Sequence, residues 1–111
     1  MLNLVSAADV TLRLWLVQLQ LDHAAGARPP LGDDDVAPMV ELLYRTEGVR
    51  SVAVVPLAAG LAVAVGLEAP DATSALERAR GLAISCARYA GLGEIVFRRA
   101  CVTPAPHAGT A

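Results

Sequence analysis

The chain has 111 residues, 55% of them apolar, and a formal net charge of −2 at pH 7. That length suits one domain, which buries roughly two-thirds of its unfolded surface. The basic residues, all arginines, are scattered along the chain, which argues against binding to nucleic acid. No run approaches the ~20 apolar residues of a membrane helix, so we expect no membrane partner.

The beginning of the chain lacks the features of an export signal. It carries no positive region, and the apolar stretch from Leu12 is interrupted by Arg13 and Gln18. Cys86 and Cys101 are far apart and form no metal-binding or redox motif. We therefore expect a cytoplasmic protein with two reduced thiols. So small and apolar a chain has difficulty burying its apolar surface as a monomer, which favours self-association.

The first predicted strand, Thr11 to Asp22, changes phase along its length. Up to Leu16 its leucines have even residue numbers, whereas from Val17 onward its apolar residues have odd residue numbers. Because side chains alternate between the two faces of a strand, this change predicts either a bulge near Leu16–Val17 or burial on both faces. Both alternatives place the strand inside a sheet.

A loop and a helix are predicted next. The loop, His23 to Gly32, contains two prolines and two glycines, which exclude regular structure. The aspartates at 33–35 supply an N-cap and a favourable charge for the start of a helix. From Val36, apolar residues at i, i+3, i+4 and i+7 predict one buried face, and the helix ends near Glu47.

Three strands and a second helix complete the prediction. Val49 to Pro56 is rich in β-branched residues, and Leu61 to Leu67 alternates large residues with small ones. Asp71 is the predicted N-cap of the second helix. The predicted buried stripe of that helix is unusually small, which lets it lie close to the sheet: Leu76, Ala79, Ala83, Cys86 and Ala90. The last strand is Glu94 to Thr103.

These elements follow the order β-α-β-β-α-β. With right-handed crossovers, the order gives a four-stranded antiparallel sheet of order 4-1-3-2 with two helices on one face. This arrangement is the ferredoxin-like split β-α-β sandwich of the α+β class. We expect residues 1–10 to be an N-terminal extension, 11–103 a single domain and 104–111 a disordered tail.

Two helices cover only one face of such a sheet, so the other face is either solvated or an interface. Small residues on a central strand let another surface approach closely, which favours dimerisation or contact with a ligand. The expected interface residues, with the first strand contributing Trp15 or its phase-shifted neighbours, are Trp15, Ala62, Ala64 and Gly66. The alternative is a solvated sheet with Trp15 at its rim.

Arg98 and Arg99 are adjacent in the last predicted strand, so they point to opposite faces unless that strand bulges. One hypothesis is an irregularity coordinated with the phase change at Leu16–Val17. The other is a solvated arginine at the edge of the sheet.

One polar cluster lies at the junction of the first strand and the first helix. A helix N-terminus attracts anions, and carboxylates with a histidine can hold a divalent cation. The candidate ligand-binding residues in this cluster are His23, Arg28, Asp33 and Asp34. The simpler interpretation is a run of capping aspartates beside an exposed histidine. We assign no catalytic residue, no metal ligand and no cofactor, because the chain has no nucleophile triad and no phosphate-binding loop.

Two strands resemble parts of known small domains. Gly48 to Val54, a turn, and the alternating residues Leu61 to Val65 are similar to the second and third strands of heavy-metal-associated domains. Those domains bind metal through paired cysteines after the first strand, where this chain has Asp22 to Gly26, so the resemblance implies no metal site. The chain also resembles ACT-type regulatory domains, in which a loop before the first helix and a dimer interface hold a small effector. Arg28 to Gly32 occupies that place.

These observations favour a non-enzymatic regulatory module that forms a homodimer through its sheet and binds a small-molecule effector or a protein partner. The alternative is a small dimeric enzyme of the ferredoxin-like monooxygenase or isomerase type. It requires a pocket between helices and sheet, lined by His23, Arg28 or Trp15. A third hypothesis is a structural subunit that continues the sheet edge to edge, which the short second strand with Pro56 disfavours.

Overall fold

The computed structural model describes residues 11–24 and 31–105. Its elements are β1 Arg13–His23, α1 Asp33–Tyr44, β2 Val49–Pro56, β3 Gly60–Ala69, α2 Ala72–Tyr89 and β4 Ile95–Pro104. The strands pair antiparallel in the order β2-β3-β1-β4, which is the predicted order 4-1-3-2 counted from the other edge. The predicted α+β class is confirmed. The expectations for residues 1–10, for most of the loop before α1 and for 106–111 lie outside the described residues.

The hydrophobic core lies between the sheet and both helices. The central strands supply large side chains, of which Leu21, Leu61 and Leu67 are fully buried. Burial of each such side chain stabilises the fold by about 1.5–3 kcal/mol. Helix α2 contributes mostly alanines to this core: Ala75, Ala79, Ala83 and Ala87. Because alanine projects a single carbon atom, α2 lies close to the sheet, as the small-residue stripe predicts.

The two helices begin in different ways. The N-cap of α1 is Gly32, so the prediction of an aspartate cap is wrong by one position. The Asp35 carboxylate accepts a hydrogen bond from the Gly32 backbone N–H at 2.7 Å and closes the first turn from inside the helix. Helix α2 has the predicted N-cap, because Asp71 Oδ1 accepts from the Ser74 backbone N–H at 2.7 Å.

Strand β1 is regular where the sequence changes phase. Its ladder with β3 runs without interruption from Arg13 to Asp22, so no bulge occurs near Leu16–Val17. Val17 is buried against the helices, whereas Leu16 is half-buried on the other face. Burial on both faces, the second of the two predicted alternatives, explains the phase change.

Strand β4 bulges at its adjacent arginines, but β1 is regular at Leu16–Val17, so the hypothesis of an irregularity coordinated between the two strands is wrong. Arg98 is a solvated arginine of the edge strand, as the other hypothesis states. Gln20 of β1 pairs with Arg99, but Leu21 pairs with Phe97, which leaves Arg98 as an extra residue. An extra residue lets two consecutive side chains leave a strand on the same side. Both arginines therefore lie on the face away from the helices, and neither charge enters the core.

Strand β2 has a matching irregularity that the sequence analysis did not predict. Val49 pairs with Leu67 and Ser51 with Gly66, so Arg50 is the extra residue. The Arg50 guanidinium forms an ion pair with Glu68 at 2.8 Å. Each edge strand thus has a bulged arginine, and each such arginine binds a carboxylate near the end of the neighbouring central strand.

Candidate functional site

The candidate site is the sheet face opposite the helices, which we call the open face. The strand register places its residues in three rows that cross all four strands. The first row is Val55, Ala62, Gln20 and Arg99; the second is Ala53, Ala64, Gln18 and Cys101; the third is Ser51, Gly66, Leu16 and Thr103.

Small residues keep the β3 part of the open face flat. A Cβ atom added to Gly66 would lie 2.4 Å from Ser51 Oγ, so the serine hydroxyl already occupies the space above this glycine. Ala62 and Ala64 are half-buried by their neighbours on the adjacent strands. A second surface could therefore approach the backbone of β3 closely at Ala62 and Ala64, whereas the Ser51 side chain covers Gly66. An interface role for these three positions stays a prediction.

The end of the open face formed by β1 and β4 is polar, and we call it the polar end. Arg98 Nη1 donates to Asp22 Oδ2 at 2.8 Å, and Arg99 Nε donates to Gln20 Oε1 at 2.9 Å. A concavity of about 340 Å³ lies here, and its lining includes Gln18, Gln20, Ala62, Arg99 and Cys101. The Arg99 guanidinium is thus oriented by an amide beside open space.

The end formed by β2 and β3 is apolar, and we call it the apolar end. A smaller concavity of about 130 Å³ is lined here by Gln18, Ala53, Val55, Ala62 and Ala64, among others. The Val55 side chain is 54% exposed, which is high for a large apolar residue. Because Gln18 and Ala62 line both concavities, the polar and apolar ends are continuous.

Trp15 lies on the core side of the sheet. With no bulge in β1, it stays in phase with buried Val17, and it packs against the core. Its Nε1 donates a hydrogen bond to the Ala69 carbonyl at 3.0 Å. Trp15 therefore does not lie on the open face, and its phase-shifted neighbour Leu16, which pairs with Gly66, lies there instead.

The predicted ligand-binding residues at the start of α1 do not converge in the described structure. Asp33 and Asp34 are exposed in the first turn of the helix, and Arg28 lies outside the described residues. His23 ends β1, where its backbone N–H donates to the Ala59 carbonyl at 2.9 Å. Asp22, which neighbours this cluster in sequence, binds Arg98 on the open face instead. A ligand-binding role for this cluster stays a prediction.

Two further findings concern metal binding and the histidine of this cluster. Within residues 11–24 and 31–105, no group of three histidine, cysteine or carboxylate side chains is placed to hold a metal ion. His23 Nε2 is buried without a hydrogen-bond partner among the described residues. This histidine borders the part of the loop that is not described, so it supports no assignment of a site.

The two cysteines occupy different surroundings. Cys86 lies in the buried stripe of α2, and burial raises the pKa of its thiol. Cys101 is exposed on the open face. Of the two thiols, the one at the candidate site is therefore the accessible one.

Another concavity, of about 260 Å³, lies where β3 leads into α2 and includes Arg78, Glu47 and Gly48 in its lining. Arg78 donates a hydrogen bond to the Glu47 carbonyl. The arginine thus connects α2 to the turn between α1 and β2, and this surface has a structural explanation that the open face lacks.

Sequence reasoning missed the glutamines of β1 and Arg99 as site residues. The signal was present in the adjacent arginines of β4, because two neighbouring charges in a strand require a bulge that brings both to one face. Gln18 and Gln20 then follow from the regular register of β1. The sequence did not decide which face of the sheet each β1 side chain occupies, and that assignment is needed to place the two glutamines.

Comparison of the chain with protein-family models, with curated proteins and with solved structures finds no match in any of the three. In the described part of the chain, neither helix has the length and apolarity needed to cross a membrane.

Proposed function

We propose that this chain is a ferredoxin-like, non-enzymatic regulatory module that forms a homodimer through its open face and holds a small ligand between the two copies. The observation that carries the proposal is the open face itself, a complete sheet surface of mostly small or uncharged residues that neither described helix covers. The described elements of the chain cover only the opposite surface.

The size of the open face suits a specific interface. Strands of 8 to 11 residues, spaced about 4.8 Å apart with about 3.3 Å per residue, give a face of roughly 19 by 30 Å. Two such faces would bury on the order of 1,100 Å², which exceeds the ~1,000 Å² expected of a biological interface.

Apart from Arg99, the open face is also chemically complementary to itself. A two-fold axis brings the same residues of both copies together, so the face must tolerate its own charges. The side-chain amides of Gln18 and Gln20 both donate and accept hydrogen bonds, so they can pair with their own copies. The charges of Asp22 and Arg98 are already neutralised by their ion pair at 2.8 Å.

The edges of the sheet are poorer surfaces for association. Each edge strand contains a bulge, and β2 and β4 end in Pro56 and Pro104. Bulges and prolines interrupt the row of backbone groups that edge-to-edge pairing requires. The face is therefore favoured over the edge as the surface that meets a second copy.

The proposal is tested by sedimentation of the wild-type protein and of an Ala64→Arg variant. Ala64 lies between Ala53 and Gln18 in the middle row, so an arginine there would hold the two faces apart and place like charges opposite each other. We expect dimerisation to weaken by about 100-fold, since facing like charges cost several kcal/mol.

The matched control is Ala37→Arg, the same change on the exposed side of α1. This variant should remain as dimeric as the wild type, and circular dichroism should show that both variants are folded. A wild-type protein that stays monomeric at high micromolar concentration would contradict the proposal. So would an Ala64→Arg variant that dimerises normally.

A further inference from the structure

One arginine on the open face lacks an anionic partner. Arg50 and Arg98 each bind a carboxylate at 2.8 Å, and these are the two ion pairs found within residues 11–24 and 31–105. Arg99 is held through Nε by the neutral amide of Gln20, which orients its guanidinium without neutralising it. A face-to-face dimer would bury this charge, and burying an unpaired charge is costly. An anion bound near Arg99 would therefore stabilise the dimer.

The surroundings of Arg99 define what kind of anion fits. Among the described residues, the polar end contains a single arginine without a carboxylate partner, together with the amides of Gln18 and Gln20. This set matches one negative charge better than the two charges of a phosphate ester. With Nε engaged, the two Nη groups of the guanidinium remain to donate in parallel to the oxygens of a carboxylate.

The apolar end defines the rest of the ligand. From Arg99 on β4, the groove crosses Ala62 on β3 and reaches Val55 on β2, a span of three strand spacings, or about 14 Å. Its lining at this end is aliphatic apart from Gln18. A flexible aliphatic chain fits this part of the groove.

We propose that the open face binds a medium-chain aliphatic carboxylate, with its head group on the Nη atoms of Arg99 and its chain over Ala62 toward Val55. This inference rests on the proposed dimer, because both concavities are shallow in one copy and the second copy closes them. The carboxylate neutralises Arg99, so binding and dimerisation strengthen each other.

Octanoate is the probe, with octanamide as its uncharged equivalent. Isothermal titration should show saturable binding of octanoate, at least about tenfold weaker binding of octanamide, and a shift toward dimer in sedimentation when octanoate is present. Arg99→Gln should weaken octanoate binding at least about tenfold, the usual loss for a charge-assisted contact.

Two further variants test whether octanoate binding depends on the unpaired charge of Arg99. Arg45→Gln removes the same charge from an exposed position at the end of α1 and should leave the affinity within about threefold of the wild type. Gln20→Glu supplies a carboxylate beside Arg99 and should weaken octanoate binding as Arg99→Gln does. Circular dichroism checks that all three variants fold.

The outcomes separate this inference from the proposed dimer. A dimer that does not bind octanoate, or that loses affinity equally in Arg99→Gln and Arg45→Gln, overturns the carboxylate site and leaves the dimer standing. A monomer that binds octanoate through Arg99 supports the site and overturns the dimer. A monomer without binding overturns both.

Discussion

Replacing Gly60 with alanine tests how closely β1 and β3 approach each other at the end of their ladder. A Cβ atom at this position would lie 1.9 Å from the Leu21 carbonyl oxygen and 2.7 Å from Asp22 Cα. Both are backbone atoms of a central strand, so no side-chain rotation can relieve the contact. The two strands must separate locally to accommodate the methyl group.

The cost of this separation follows from the bonds that hold the junction. The His23 backbone N–H donates to the Ala59 carbonyl at 2.9 Å, and Leu57 N–H donates to the Gly60 carbonyl at 2.8 Å. Losing two such bonds costs about 1 kcal/mol each, and the displacement of packed backbone adds about 1–3 kcal/mol. We expect Gly60→Ala to lower the free energy of unfolding by about 3–5 kcal/mol.

Urea unfolding followed by circular dichroism, at one fixed protein concentration, measures this difference. Gly81→Ala is the matched control, because a Cβ at this exposed position of α2 meets nothing within 4 Å. It should stabilise the helix by about 0.8–1 kcal/mol. Gly66→Ala is intermediate, since it meets the Ser51 hydroxyl, and Ser51→Ala should partly rescue it. If Gly60→Ala unfolds at the same urea concentration as Gly81→Ala, the reasoning about strand approach is refuted.

Two further predictions concern a helix cap and the thiols. Asp71→Ala should lower the melting temperature at pH 6, whereas Asp71→Asn, which keeps a capping acceptor, should lower it less. The hydrogen bond from the Ser74 N–H lowers the pKa of Asp71 below its ordinary value of 3.8. The ionised cap therefore stabilises the fold above that pH, and its contribution is lost as the pH falls through the lowered pKa. If the melting temperature of Asp71→Ala stays below that of the wild type by the same amount in acid, this reasoning is contradicted. In the Ala64→Arg monomer, Cys101 should react quickly with a thiol reagent and Cys86 only on unfolding, while in the wild-type dimer both should be slow. Rapid reaction of both thiols in the folded protein would show that α2 is not packed as described.

Much of the fold could be predicted from the sequence because its signals are local. The sharp alternation from Leu61 to Leu67 specifies β3, and the Asp71 cap marks the start of α2. The start of α1 was missed by one residue, because Gly32 and the aspartate after it are both acceptable N-caps. Such an error moves a boundary without changing the element.

The parity of β1 could not be predicted in the same way. A phase change between Leu16 and Val17 fits a bulge as well as it fits burial on both faces, and only the pairing with β3 decides. The spacing of two valines does indicate the bulge of β2. Val49 and Val52 both face the core with two residues between them, whereas a regular strand would have one or three, so an extra residue is required. The open face consists of the β1 and β2 side chains that point away from the helices, together with those of β3 and β4. Because the sequence leaves the facing of β1 and β2 open, the site was harder to predict than the fold.

The alanine stripe of α2 has a consequence for which substitutions this protein can accept. In most cores the damaging changes remove atoms and leave cavities. Ala75, Ala79 and Ala83 have no exposed surface, and each touches a closely approaching sheet, so here the damaging changes add atoms. We therefore expect the amino acids at these three alanine positions to vary less during evolution than those at Leu76 and Leu82, which are larger but only partly buried.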